Sequence, residues 1–213
     1  QNRERFVEDL KTLIRFPSIS AVPAHQADVL ACAEWLKAHL TEMGMAVEVH
    51  PTAGHPVVYA EWLKAPGAPT VLIYGHYDVQ PVDPLNLWKK PPFDAVVEGR
   101  NLVARGATDD KGQVFAHVKA LESYLKTDGR LPVNVKLIIE GEEEVGSEHL
   151  YGWIGAHREK LACDVVVVSD TAQYGDGTPY ALRKPDYAFT GVVPSHFSVR
   201  LAPPLVISRT EID

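Results

Sequence analysis

The chain has 213 residues, 46% of them hydrophobic and 23% charged, the make-up of a folded globular protein and not of a disordered or fibrous one. With 28 acidic against 21 basic residues its net charge is −7, which repels a phosphate backbone, and no Lys/Arg run interleaved with aromatics offsets this, so nucleic acid is excluded as a partner. No apolar stretch approaches the roughly 18–20 residues needed to span a bilayer, and QNRERFVEDL lacks a secretory apolar core; the expectation is a cytoplasmic protein without membrane contact, built as one large domain or two small ones.

Arg3 to Phe16 spaces Phe6, Leu10, Leu13 and Ile14 as the apolar face of a helix, which Pro17 stops. A second helix is expected from about Asp28, as its N-cap, through Val29, Cys32, Leu36, Leu40 and Met43, with Gly44 as its C-terminal cap. Strand-like runs follow: AVEVH (46–50), VVYAEWL (57–63), TVLIYGHYD (70–78), and a hairpin of FDAVVE and LVA around Gly99, Arg100 and Asn101. Asp109 to Lys126 returns to helical spacing through Val114, Val118, Leu121 and Leu125. Then come NVKLIIEG (134–141), a helix expected from about Ser147 to Lys160, and DVVVVSD (164–170).

Strands this uniformly apolar need cover on both faces, so the expected fold class is a layered α/β/α domain with a mixed, largely parallel sheet flanked by helices. Cys32 falls in a helical pattern and Cys163 just before a buried strand, which suits reduced core thiols better than a disulfide framework. After Asp176 the chain is rich in proline and reads as turns with a strand or two. Residues 1–176 are therefore expected to form one unit, and 177–213 an atypical tail that starts a second domain.

Four segments distant in sequence share one placement, at or just beyond the C-terminal end of a strand-like run. They are GHYD with His76 and Asp78, RGATDDKG (105–112), EGEEEVGS (140–147) and VVVVSD (165–170). In open α/β sheets that edge is where ligands bind. A histidine among several carboxylates suits Zn²⁺, Mn²⁺ or Co²⁺, and adjacent acidic residues suit two such ions, whose mutual repulsion a bridging carboxylate screens.

Each segment also has an ordinary explanation. A strand-end histidine can be a hydrogen-bonded structural residue, an Asp-Asp pair can favour a helix start through the helix dipole, three glutamates can be a solvated loop, and Asp170 can cap a turn. Four such accidents at four strand ends are the less economical account.

In order and spacing, GHYDVQP, WKKPPFDAVVEGRNLVARGATDDKG and EGEEEVGS resemble the di-zinc metallopeptidase family that includes carnosine-type dipeptidases, aminoacylases, desuccinylases and glutamate carboxypeptidases. The likeness covers roughly residues 4 to 175, and LIRFPSIS is similar to the family's N-terminal segment. It implies two divalent metals, zinc before manganese or cobalt. His76 and Asp170 would hold the first metal, Asp109 would bridge, and Glu144 would bind the second. The resemblance also makes Glu143 the general base, makes Asp78 the acceptor that orients the free imidazole nitrogen of His76, and implies a cis Asp109–Asp110 bond.

The implied reaction is hydrolysis of a peptide bond in a short peptide by an activated water. The alternatives are an N-acyl-amino-acid deacylase with the same site chemistry, taking an acyl-amino-acid substrate, or a non-catalytic metal-binding or interaction module on this fold. Family chains are longer, often dimeric, and return after a lid domain to supply a second histidine. No such return is read in this sequence, so the second metal site is expected to lack its histidine and the chain to be the N-terminal part of a catalytic domain. VPSHFS, with His196, departs too far from the lid's histidine motif for a role. The other histidines, His25, His39, His50, His55, His117, His149 and His157, are expected at the surface.

Overall fold

Helix α1, Arg3–Ile14, buries Leu10, Leu13 and Ile14 and ends two residues short of the expected Phe16, with Arg15 as its C-cap ahead of Pro17. The computed structural model describes residues 2–99, 101–170, 180–184 and 198–202, so His196 lies outside the described residues. Helix α2, Gln26–Glu42, begins before Asp28 because a 3-10 turn at Pro23–His25 runs straight into it. Asp28 is thus not the N-cap. It sits in the first turn, where a negative charge complements the helix dipole, and its carboxylate lies 2.7 Å from His25 Nδ1. At the other end Gly44 does close the helix, with φ of +92° and the paired bonds Gly44 N–H to Thr41 O and Met45 N–H to Leu40 O.

The strands are β1 (Ala46–His50), β2 (Val57–Trp62), β3 (Thr70–His76), β4 (Val96–Glu98) and β5 (Asn101–Val103). Helix α3 (Lys111–Thr127) leads into β6 (Asn134–Glu140), helix α4 (Leu150–Ala156), β7 (Val165–Val168), β8 (Tyr180–Lys184) and β9 (Ser198–Ala202). Helix α4 is shorter than the 147–160 expected. Gly152 and Gly155 lower its helix propensity, and the chain leaves it by turns at His157–Leu161 and Glu159–Ala162.

Seven strands form one sheet in the order β1-β2-β6-β3-β7-β9-β8, while β4 and β5 make a separate hairpin. The pairs β6·β3, β3·β7 and β7·β9 are parallel, and the ladders toward the two edges are antiparallel. This is the expected mixed sheet with a parallel centre. The period of two along β6 explains its apolar run: Val135, Leu137 and Ile139 join the core under α1, α2 and α3, and Ile138 joins Tyr59, Leu72, Leu150 and Trp153 on the other face. Cys32 is buried and Cys163 half-buried, and both are free thiols. Among the described residues no helix is long and apolar enough to cross a membrane.

Candidate metal centre

Because β3, β6 and β7 run parallel, their C-terminal ends meet at one edge of the sheet, the place where open α/β folds bind ligands. His76 ends β3 and pairs in register with Glu140, which ends β6; Asp170 follows β7 by two residues. Asp109 stands just before α3, and its bond to Asp110 is cis.

His76 is fully buried. Its Nε2 lies 3.2 Å from Asp109 Oδ1, 3.7 Å from Asp170 Oδ2 and 3.9 Å from Glu143 Oε2. Ligand atoms of His76, Glu143 and Asp170 all fall within 4.8 Å of one another. On the opposite side of the ring, Nδ1 lies 3.1 Å from the backbone oxygen of Asp78 and 3.3 Å from its Oδ1.

The Asp78 carboxylate, itself buried, also accepts the backbone N–H groups of Glu143 at 3.2 Å and Glu144 at 3.1 Å. One carboxylate thereby joins the β3 end to the turn that carries both glutamates. The segment after α1 supports the same strand end. Ser18 Oγ donates to Tyr77 O at 2.6 Å, and Val79 N–H donates to Ser18 O.

Glu144 stands apart from the His76 cluster, with its Oε2 accepting a hydrogen bond from Gln80 Nε2 at 2.6 Å. Asp110, beside the bridging candidate, turns inward: its Oδ2 accepts the His76 backbone N–H at 3.2 Å, and its Oδ1 is buried without a partner. This close approach requires glycine at position 75, where a Cβ would come within 2.4 Å of Val114 Cγ2 and 2.6 Å of Asp110 Oδ2.

Sequence reasoning missed Asp110, Gln80, Glu140 and Lys111. Glu140 is buried and accepts the Tyr74 hydroxyl at 2.6 Å and the Ser147 hydroxyl at 2.9 Å. Lys111 is fully buried and donates to Leu13 O and Phe16 O at the end of α1. The signals were the Gly75-His76 step, the second aspartate of DDKG, and charges abutting uniformly apolar runs.

The electrostatics of the site call for a cation. Burial alone pushes the His76 imidazole down, but hydrogen bonds to Asp109 and Asp78 and the charges of Asp78 and Asp110 outweigh it and raise the pKa to about 12. Burial raises Glu143 and Glu144, takes Glu140 to about 7, and pushes Asp110 well above the usual carboxylate range. One imidazole nitrogen among carboxylate oxygens, with its other nitrogen held by Asp78, is a donor set that fits a divalent metal ion.

A second group of ligand-type residues, Asp9, His39 and Glu122, already holds a cation of its own. The Lys119 ammonium lies 2.8 Å from Asp9, 2.9 Å from His39 and 2.6 Å from Glu122, and Arg5 pairs with both acids.

The seven histidines expected at the surface are all half-buried, and each has a partner. His25 meets Asp28, His39 meets Lys119, His50 meets Glu48, His55 meets Ser20 O, His117 meets Ser169, His149 meets Glu142, and His157 meets Trp153 O. An imidazole shields its ring while keeping one nitrogen bonded, which a default placing histidine in solvent overlooks.

Residues 72–199, more than half of the chain, match the peptidase family M20/M25/M40. The chain belongs to this family. It is 33% identical over 199 residues to the Cys-Gly metallodipeptidase dug1 of Schizosaccharomyces pombe, covering 86% of this chain and 42% of that protein. Among solved structures, human carnosine dipeptidase 1 superposes with a TM-score of 0.78 at 30% identity, over 85% of this chain and 42% of that one. An M20 family metallo-carboxypeptidase from Sulfolobus solfataricus gives a TM-score of 0.73 at 38% identity, over 84% and 40%. This M20/M25/M40 chain therefore spans about two-fifths of the length of the curated relatives it matches, and its share of the fold is the part that carries the His76 cluster.

Proposed function

We propose that this chain forms part of a metal-dependent dipeptidase or exopeptidase that hydrolyses a peptide bond of a short peptide. The observation that carries the reading is the meeting of His76, Asp109, Glu143 and Asp170 at one sheet edge in an M20/M25/M40 chain. Relatives named for Cys-Gly and for β-Ala-His favour small dipeptides as the substrate class.

His76, Asp109, Asp170 and Glu144 are the residues that would hold two divalent ions, zinc first among them. When bound, such ions lower the pKa of a water and polarise the scissile carbonyl. Glu143 would take the proton of the attacking water and return it to the leaving amine. A carboxyl raised by burial is better matched to that exchange than an ordinary one. Asp78 would hold the His76 ring and, through the two amides it accepts, keep Glu143 beside it. Residues 1–176 would be the N-terminal part of the catalytic unit, and β8 and β9, expected from the sequence to start a second domain, would belong to that unit because they extend its sheet beyond β7.

The test is Glu143→Gln in the full-length protein, with metal content by elemental analysis and turnover of a dipeptide panel under added Zn²⁺, Mn²⁺ and Co²⁺. The variant should keep its metal and lose about 10²–10⁴ in kcat. Unchanged turnover would remove Glu143 from the mechanism, and a wild-type protein that binds no metal would overturn the whole reading.

A further inference from the structure

Glu142 is the first of three consecutive glutamates and the most deeply buried of them, with both carboxylate oxygens 3.0 Å from His149 Nδ1. Its backbone carbonyl accepts the N–H groups of Val145 at 3.2 Å and Ser147 at 2.8 Å, so the turn carrying Glu143 and Glu144 starts from this residue. The loop between β1 and β2 closes on the same carboxylate from the other side. A Cβ on Gly54 would fall 1.7 Å from Glu142 Oε1 and 2.8 Å from His149 Nδ1. That loop is itself tied down: Thr52 Oγ1 donates to His55 O at 2.7 Å and accepts Gly54 N–H at 3.0 Å, and His55 Nε2 lies 3.1 Å from Ser20 O.

The geometry points to Glu142 and His149 as positioning residues for the candidate metal centre, with Gly54 as the wall that confines them. The pair holds the 142–147 turn so that the Glu143 and Glu144 amides stay on Asp78 and their side chains stay at the site. A histidine beside a carboxylate is a common motif at a surface, but here the carboxylate is buried and gripped on two sides. This inference rests on the roles proposed above for Glu143 and Glu144. None of these groups need touch substrate.

The test compares His149→Ala, His149→Asn and Gly54→Ala with the wild type in the full-length protein, by three readouts. Amide hydrogen exchange at Glu143 and Glu144 should speed up about tenfold or more in His149→Ala and Gly54→Ala, while the amides of β6 keep their protection. Zn²⁺ affinity by calorimetry should fall about ten- to a hundredfold, and kcat should fall while KM stays near the wild-type value. His149→Asn should restore all three, because an asparagine amide can donate from about where Nδ1 does.

A lowered melting temperature with unchanged exchange at residues 143 and 144 and unchanged Zn²⁺ affinity would make the pair merely structural and overturn the inference. Failure of rescue by asparagine would overturn the assignment to the Nδ1 hydrogen bond. Should the wild type neither bind Zn²⁺ nor turn over peptide, the proposed function fails, and the exchange rates still decide whether Glu142 and His149 hold the turn.

Discussion

Replacing Lys111 by methionine keeps the length of a fully buried side chain and removes its ammonium. That group donates at 3.1 Å to Leu13 O and at 2.7 Å to Phe16 O, capping the C-terminal end of α1. Both carbonyls keep a second donor, Phe16 N–H at 3.4 Å and Ser18 N–H at 2.8 Å, so neither is left bare. The loss is then at the low end for hydrogen bonds to a charged group, about 1.5 kcal/mol each. Removing a cation from the negative end of a helix adds up to about 1 kcal/mol. Against this total of about 4 kcal/mol stands the desolvation of the ammonium, which burial makes visible by lowering the Lys111 pKa.

The expected outcome for Lys111→Met is a net destabilisation of about 2–3 kcal/mol, read from the midpoint of urea unfolding at an unchanged slope. Lys111→Ala should cost a further ~2 kcal/mol or more for the buried methylenes it deletes. If the methionine variant unfolds at the wild-type midpoint, desolvation cancels the two bonds, and the claim that Lys111 secures the junction of α1 with the DDKG turn is refuted.

Three further outcomes follow from the same physics. Gly75→Ala should push the Asp110 carboxylate off the His76 amide, because a Cβ at 2.4–2.6 Å from its neighbours cannot be accommodated; a loss of Zn²⁺ affinity measured by calorimetry checks this, and wild-type affinity would sink it. The contribution of His39 to stability should fall as pH drops below about 6.5. Burial and the Lys119 ammonium lower the His39 pKa, against the raising effect of Asp9, Glu122 and Glu42, so the unfolded chain takes up a proton that the folded one refuses. Melting temperatures from pH 7.5 to 5 check this by comparison with His39→Gln: the wild type should lose ground to the variant as pH falls, since burial lowers His50 and His117 equally in both proteins. At lower pH a second loss is expected as Glu122 protonates. Burial raises its pKa, but hydrogen bonds from Arg5 and Lys119 bring it below the ordinary value, so its contribution is present above the carboxylate range and lost beneath it; Glu122→Gln should reduce that second slope, which Asp109 and Glu48 share.

The strands were legible because their apolar runs are bounded by turn residues, and β1 matches its expected limits at both ends. The start of α2 was not, since a 3-10 turn competes with an N-cap and nothing in HQAD says which prevails. At the site, the convergence of the segments that carry His76, Asp109 and Asp170 was readable from placement at strand ends, whereas the choice of Asp109 over Asp110 came from the family resemblance. The second partner of Asp78, the amides of Glu143 and Glu144, was not readable, because backbone donors leave no trace in side-chain identity. The deviation of Glu144 toward Gln80 and the partners of the seven histidines are settled by three-dimensional neighbours that sequence spacing does not order.

The order of strands in the sheet has a consequence in time. Strand β3, which ends on His76, lies between β6 and β7, and both of these are made later by the ribosome. From the end of β3 at His76 to the start of β6 at Asn134 the chain grows by 58 residues (134 − 76), about 3–12 s at ordinary rates of synthesis. Throughout that interval an apolar strand is without either of its parallel neighbours, and His76 has only the acids already made around it. The newborn chain thus carries β3 unpaired on both sides for that interval, and the cluster of His76, Asp109, Glu143 and Asp170 comes together only once Asp170 has left the ribosome.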